Sequence, residues 1–393
     1  MSISICYLIQ GQDGDMPSIK VGSSQEILLE ISQDLQVSFD SSLIGQLIDW
    51  AVEAINSRIE NDFVQSFRNE KIEKNNLEPK YLNVDQSNLS YQYGNYLIKI
   101  KKELDLSNRN INIVTELSKN NFLYTPKYYG HLELNVFNKF VEFITIYDFI
   151  EDSSDGWTWL PQKIFNKDES WINPVSIICS QLHRDLRKLT TNSHEDFLNE
   201  TEKIIDNSLI ILETINSIDK NFPDPNQMFE IWERNKCRFF DELEIRRNKL
   251  SGISKSQVIH GDFHVGQILK SKDNFFVIDF DGSPVLNKKL RNIEAPREDD
   301  VAHLLTSIAL AARVSERINQ LEFGHLSVEV QNCQSSFLKN YLDNSKTLGL
   351  DVLNLDLVEY LRFRQYLFEI IYAINYLPRW LYAPIHSLLE ELG

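Results

Sequence analysis

The spacing of apolar residues changes three times along the chain, and each change predicts a different kind of structure. The short apolar run at residues 3–9 predicts a first strand. Residues 24–35 and 43–59 then carry apolar positions three and four apart, so that Leu43, Leu47, Trp50, Ala51 and Ile55 would share one helical face. From Tyr81 the runs shorten, and residues 91–93 and 96–100 bracket Gly94-Asn95, which predicts a hairpin closed by a two-residue turn. A helix is expected over residues 111–119, followed by a strand pair at 128–134 and 140–149 around residues 135–138. The acidic, turn-rich residues 151–156 predict a hinge. Beyond it the helical period takes over at 175–189, 200–217 and 226–249, interrupted by one island. There, apolar residues 257–260 and 275–280 frame a polar loop at 261–268. The pattern divides the chain into an N-terminal cap (residues 1–80), a small mixed lobe (81–152) and a largely helical lobe (153–393), an α+β architecture.

Composition narrows the classes. The 393 residues suffice for two or three domain-sized units, and 42% hydrophobic with 25% charged residues is a globular balance that excludes a mainly disordered chain. The formal charge of −17 would repel a polyphosphate backbone over most of the surface, so no nucleic-acid partner is expected. No apolar run reaches the roughly 20 residues needed to cross a bilayer, so no membrane partner is expected either. Cys6, Cys179, Cys237 and Cys333 lie far apart with no CxxC pair, which reads as four reduced thiols in a cytoplasmic protein.

The chemistry concentrates in the island. Residues 260–267 read His-Gly-Asp-Phe-His-Val-Gly-Gln, and Asp279 follows the second apolar run in Ile278-Asp279-Phe280-Asp281-Gly282. One loop carboxylate near a second carboxylate and an amide carbonyl suits phosphoryl transfer. The first accepts the proton of an attacking hydroxyl, while the other two offer hard oxygens to Mg²⁺. Taken alone, His260, Asp262 and His264 also suit zinc or iron, although that reading leaves Lys99 and Asp279 unexplained.

These motifs, with Asp85-Gln86-Ser87-Asn88 before the hairpin and Asp155-Gly156-Trp157 after the hinge, resemble the aminoglycoside phosphotransferase and choline kinase superfamily, most of all its maltokinase and glucosamine kinase branch. The resemblance implies a protein-kinase-like two-lobe fold: a small antiparallel-sheet lobe, a largely helical lobe, and ATP in the cleft between them. It further implies Asp262 as catalytic base, Gln267 and Asp279 as Mg²⁺ ligands, and Lys99 on the α and β phosphates. Gln86, Ser87 and Asn88 would cover the phosphates, and adenine would meet backbone groups near Asp148 and Ile150. The helical partner of the lysine is implied at residues 110–117, where Glu116 is the candidate. His264, Glu369, Tyr372 and Trp380 become candidates for the acceptor, a sugar or amino sugar. Ala373 and Leu377 stand where charged residues would grip a disaccharide, which points to an acceptor more compact than maltose. A natural-product or antibiotic hydroxyl, and a regulatory nucleotide-binding pseudokinase, are the alternative readings.

Overall fold

The computed structural model describes residues 7–9, 18–21, 27–32, 34–74, 77–83, 88–190, 197–214, 223–250, 255–284, 286 and 288–393. The chain forms two compact units, Met1–Glu151 and Asp152–Gly393.

The first unit holds two antiparallel sheets. β1 (Tyr7–Ile9), β2 (Ser18–Val21), β3 (Ile27–Ile31) and β4 (Val37–Ser38) pair in chain order. After α1 (Ile44–Ser57), a six-stranded sheet is built from β5 (Val64–Arg68), β6 (Lys80–Leu82), β7 (Asn88–Tyr93) and β8 (Tyr96–Lys101), then α2 (Arg109–Lys119), β9 (Tyr128–Val136) and β10 (Lys139–Asp148), in the order β5-β9-β10-β8-β7-β6. Leu47, Trp50 and Ile55 of α1 pack in one core with Ile98 and Ile100 of β8 and Ile144 and Ile146 of β10. Residues 43–74 therefore share their core with the larger sheet. Tyr93 pairs with Tyr96 in register, so Gly94-Asn95 closes the hairpin; Gly94, with φ 60°, supplies the left-handed conformation such a turn needs.

One expectation fails here. Residues 24–35 do not form a helix: β3 occupies Ile27–Ile31 and pairs with β2 and β4. Leu29 and Ile31 are buried while Glu30 between them is exposed, a period of two that the helical reading of residues 24–35 passed over.

The second unit is mostly helical. It runs α3 (Gly156–Phe165), α4 (Ile172–Leu186), α5 (Phe197–Thr214), α6 (Pro223–Asn248), β11 (Ser256–Gln257), β12 (Ile268–Ser271), β13 (Asn274–Val277), α7 (Lys288–Arg291), β14 (Ala295–Pro296), α8 (Glu298–Ile318), α9 (Ser327–Thr347), α10 (Leu355–Tyr376) and α11 (Tyr382–Leu392). α8 is the central element, packed against α3, α9, α10 and α11. Its Leu304, Ile308 and Leu310 are fully buried, and each contributes about 1.5–3 kcal/mol by leaving water. β12 and β13 form a hairpin and β11 pairs with β14. The mixed α+β class expected from the sequence is the one observed. No helix among the described residues is long and apolar enough to cross a membrane. Cys179, Cys237 and Cys333 are free thiols, and Cys6 lies outside the described residues.

Candidate active site

The loop at residues 260–267 is held by α8. Asp300, in the first turn of that helix, accepts the backbone N–H of His260 at 2.8 Å and of Gly261 at 2.9 Å. Those two backbone donors are spent on a side chain instead of a partner strand, so the apolar run at 257–260 is strand only at Ser256–Gln257. His183 on α4 stands 3.1 Å from Asp300, and its other ring nitrogen is 2.8 Å from the Tyr341 hydroxyl. Burial works against the Asp300 charge, but His183, His260 and the Gly261 N–H outweigh it and hold its carboxyl below the usual range. The Val265 N–H donates to Ser307 Oγ at 3.1 Å, fixing the far side of the loop to the same helix.

α3 presses on the loop from its N-terminus, where Asp155 caps the helix by accepting the Thr158 N–H. Two glycines permit this approach. A Cβ on Gly156 would lie 2.0 Å from the Val265 carbonyl oxygen, and one on Gly266 would lie 2.4 Å from Trp157 Nε1. His260 is buried, and its Nε2 bonds the Ile278 carbonyl at 3.0 Å, so it props the loop and is not aimed at a reactant. Ile278 in turn donates its N–H to the Gln267 carbonyl at 3.0 Å, and Asp279 follows in the left-handed region at φ 65°. A non-glycine residue there stores strain, a pattern that clusters at functional sites.

Asp262 is buried among imidazoles. One carboxylate oxygen, Oδ2, accepts from Gln267 Nε2 at 3.3 Å and faces His264 Nε2 at 3.6 Å; the other, Oδ1, faces His303 Nδ1 at 3.9 Å. Burial pushes its carboxyl up, but His264, His303 and His260 together overcome this and hold it well below the usual carboxylate range. The effect is reciprocal at His264, where burial favours the neutral ring and the Asp262 charge prevails, raising the imidazole above its ordinary value. His264 Nδ1 accepts the Gly266 N–H at 3.0 Å, which leaves Nε2 to face Asp262.

The acceptor candidates gather around this carboxylate. Glu369 on α10 is partly buried 3.5 Å from His303 Nε2 and accepts from Gln365 Nε2 at 3.2 Å. Burial raises the Tyr372 phenol, and the charges of Glu369 and Asp262 raise it further, which sets it in the field of both carboxylates. Trp380 meets Trp157 edge to face at 5.1 Å, and Trp157 lies 5.7 Å from the His264 ring. The structure thus brings Asp262, Gln267, His264, Glu369, Tyr372 and Trp380 to one region of the second unit. Sequence reasoning missed His303 and Gln365. A signal was present: His303 stands one helical turn after Asp300, and Gln365 one turn before Glu369.

The other candidates belong to the first unit. Lys99 lies at the centre of β8, in register with Ser90 and Thr145. Lys101, two residues further along the strand, is buried 3.8 Å from Glu142, whose carboxylate also accepts from Asn110 at 2.7 Å. Lys101 follows the alternation that places Lys99, and the acidic residue of β10 compensates its burial. Glu116 accepts from Asn120 at 2.9 Å and stands 4.0 Å from Lys119, both on or beside its own helix. The Asp148 N–H donates to the Lys127 carbonyl, and its carboxylate accepts from the Tyr129 hydroxyl at 3.0 Å. Ile150 lies two residues beyond β10. Asn88 opens β7 and is buried; Gln86 and Ser87 lie outside the described residues.

The donor chemistry fits a hard cation. The amide nitrogen of Gln267 is committed to Asp262, so its oxygen is the atom to offer a metal, and Asp279 adds a carboxylate. Mg²⁺ takes one or two such protein oxygens and completes its shell with water and phosphate. Among the described residues, no group of three His, Cys, Asp or Glu side chains is placed to hold a metal, which disfavours the zinc or iron reading of His260, Asp262 and His264.

No family model matches the chain. It is 38% identical over 136 residues to glucosamine kinase of Mycolicibacterium smegmatis, covering 34% of each chain. It is 37% identical over 136 residues to glucosamine kinase of Streptacidiphilus jiangxiensis, covering 34% of this chain and 31% of that one. The matches thus span about a third of the length of these relatives. A solved glucosamine kinase in complex with glucosamine, ADP and inorganic phosphate superimposes with a TM-score of 0.72 at 20% identity, covering 98% of this chain and 93% of the other. The chain therefore shares the glucosamine kinase fold over nearly all its length and is related in sequence to glucosamine kinases over a third of it, in line with the resemblance to that branch.

Proposed function

We propose that the chain is an ATP- and Mg²⁺-dependent kinase that phosphorylates a hydroxyl of a small acceptor, and that the acceptor is an amino sugar. The observation that carries this reading is the Asp262 carboxylate, buried yet held ionised chiefly by His264, with the His303 ring lying between it and Glu369. An ionised carboxylate in a shielded site is poised to take a proton from an acceptor hydroxyl. As that proton moves to Asp262, the acceptor oxygen bonds the γ-phosphorus, the bond from γ-phosphorus to the β–γ bridging oxygen breaks, and ADP leaves with the electron pair. Gln267 and Asp279 would hold Mg²⁺, which when bound would neutralise charge on the phosphates.

In residues 81–152 we assign Lys99 to the α and β phosphates with Glu116 as its partner, Gln86, Ser87 and Asn88 to the phosphate cover, and backbone near Asp148 and Ile150 to adenine. Residues 153–393 carry the acceptor site, and residues 1–80 form a cap whose residues 43–74 share the core of the larger sheet. Glu369 suits the ammonium of an amino sugar, and Trp380 and Tyr372 offer the aromatic faces on which a pyranose ring packs. The glucosamine kinases to which the chain is related support this choice of acceptor.

ADP release with ATP, Mg²⁺ and a panel of glucosamine, N-acetylglucosamine, glucose, maltose and an aminoglycoside tests the reading. Glucosamine should give the highest kcat/KM, and masking its charge as the N-acetyl derivative should cost at least about tenfold, since the partly buried Glu369 carboxylate then loses an ammonium partner. An aminoglycoside outcompeting every monosaccharide would transfer the assignment to antibiotic hydroxyls. Tight nucleotide binding with no ADP release for any acceptor would transfer it to a pseudokinase.

A further inference from the structure

His303 and Gln365 have no role in the assignment above, yet both are buried between the two carboxylates it uses. The ring of His303 stands with Nδ1 3.9 Å from Asp262 Oδ1, Nε2 3.5 Å from Glu369 Oε1 and Nε2 3.0 Å from Gln365 Nε2. The Gln365 Nε2 is also 3.2 Å from Glu369 Oε1. A carboxylate oxygen only accepts, so the amide atom facing it must be the nitrogen, and the orientation of the amide follows from Glu369. That nitrogen carries two N–H groups. One goes to Glu369, and the other points at His303 Nε2, which must therefore present a lone pair. In the neutral ring the proton then sits on Nδ1, the nitrogen that faces Asp262.

We propose that Gln365 and His303 are positioning residues for the Asp262 base: the Gln365 amide fixes His303 in its Nδ1–H tautomer, and that N–H orients the Asp262 carboxylate. The inference rests on Asp262 being the base of the reaction proposed above. Oδ2 of Asp262 already has Gln267 and His264, whereas Oδ1 has His303. The 3.9 Å separation is longer than a hydrogen bond, as is common for catalytic contacts before the reactants close the site. Asp300 grips the loop backbone from the first turn of α8, and His303 from the next turn sets the side chain that the loop carries.

The test combines a spectroscopic readout with kinetics on the full chain. In protein labelled with ¹⁵N-histidine, the His303 resonances, assigned by their loss in His303→Asn, should show a protonated Nδ1 and a bare Nε2, and Gln365→Leu should shift them toward the other tautomer. A protonated Nε2 or an imidazolium in the unmodified chain would overturn the inference. In ADP release at saturating ATP and glucosamine, Gln365→Leu should lower kcat about tenfold and His303→Leu about thirtyfold or more, within the range of a mispositioned general base. The double variant should be no slower than His303→Leu, because Gln365 acts through His303. His303→Asn, which returns an amide N–H near the Nδ1 position, should recover much of the lost rate. Losses that multiply in the double variant, or His303→Asn as slow as His303→Leu, would overturn the assignment. The resonances are read without turnover, so a wrong tautomer overturns this inference while ADP release stands, and a chain that releases no ADP with any acceptor overturns the kinase reading while the tautomer stands.

Discussion

Asp262 sits where two opposed effects are both large. Burial alone would neutralise it, and the surrounding imidazoles reverse that outcome. A depressed carboxylate stays ionised as the solution is acidified, so kcat/KM should not lose this base until pH falls below the usual carboxylate range. In His264→Asn the largest of the interactions that oppose burial is gone, so the acid limb of the kcat/KM profile should move to higher pH. An unmoved limb would mean that another group titrates there. Asp262→Asn should lower turnover by at least about a hundredfold, the usual scale for a general base, with nucleotide affinity changed less than about twofold. That Asp262 and Gln267 stand together was legible in the sequence because one contiguous loop between two apolar runs holds both, with Asp279 at the end of the second run. His303 was harder to read: it stands one turn after Asp300, but its role depends on which helix passes behind the loop, and a histidine on an apolar helix reads as a packed one.

At the scale of elements, α8 and the loop between β11 and β12 form one assembly, held by side chain to backbone bonds instead of sheet pairing, and α3 packs against both. Helix positions in this half of the chain were readable from the 3.6-residue period, as α4, α5 and α6 show. The two-residue hairpin turn was equally plain from Gly94-Asn95. β3 was misread because five residues of Ile, Leu and Glu satisfy both periods, and pairing with β2 and β4 decides between them. How closely α3 approaches the loop was not readable at all, because it depends on what a missing Cβ would strike. Gly266→Ala supplies that atom, and with Trp157 Nε1 2.4 Å from its place the indole or the loop must move. The variant should stay folded with about 1–3 kcal/mol less stability in urea denaturation, the usual cost of overpacking, and lose about tenfold or more in kcat as Asp262 and His264 shift. Full activity with unchanged stability would show that the contact between Trp157 and the loop is slack.

The whole molecule carries 57 acidic against 40 basic residues, a formal charge of −17, and that field acts on reactants before any contact forms. Its sign opposes the approach of a nucleoside triphosphate and favours a cationic acceptor, so the two encounters should respond to salt in opposite directions. At saturating nucleotide only the acceptor encounter is read. The Debye length shrinks from about 30 Å at 0.01 M to about 8 Å at 0.15 M salt, which removes most of the long-range attraction. For glucosamine in its ammonium form, kcat/KM should therefore fall several-fold over this range. For glucose, which has nearly the same shape and no charge, it should stay nearly flat. The comparison cancels any effect of salt on the fold or on the chemical step, since both sugars meet the same enzyme in the same buffer. The component that survives at high salt belongs to short-range contacts, and Glu369→Gln should reduce that component for glucosamine while leaving glucose little changed. Parallel salt dependences for the two sugars would show that the acidic balance of this chain serves solubility alone, and that an amino group is recognised, if at all, only after the acceptor has docked.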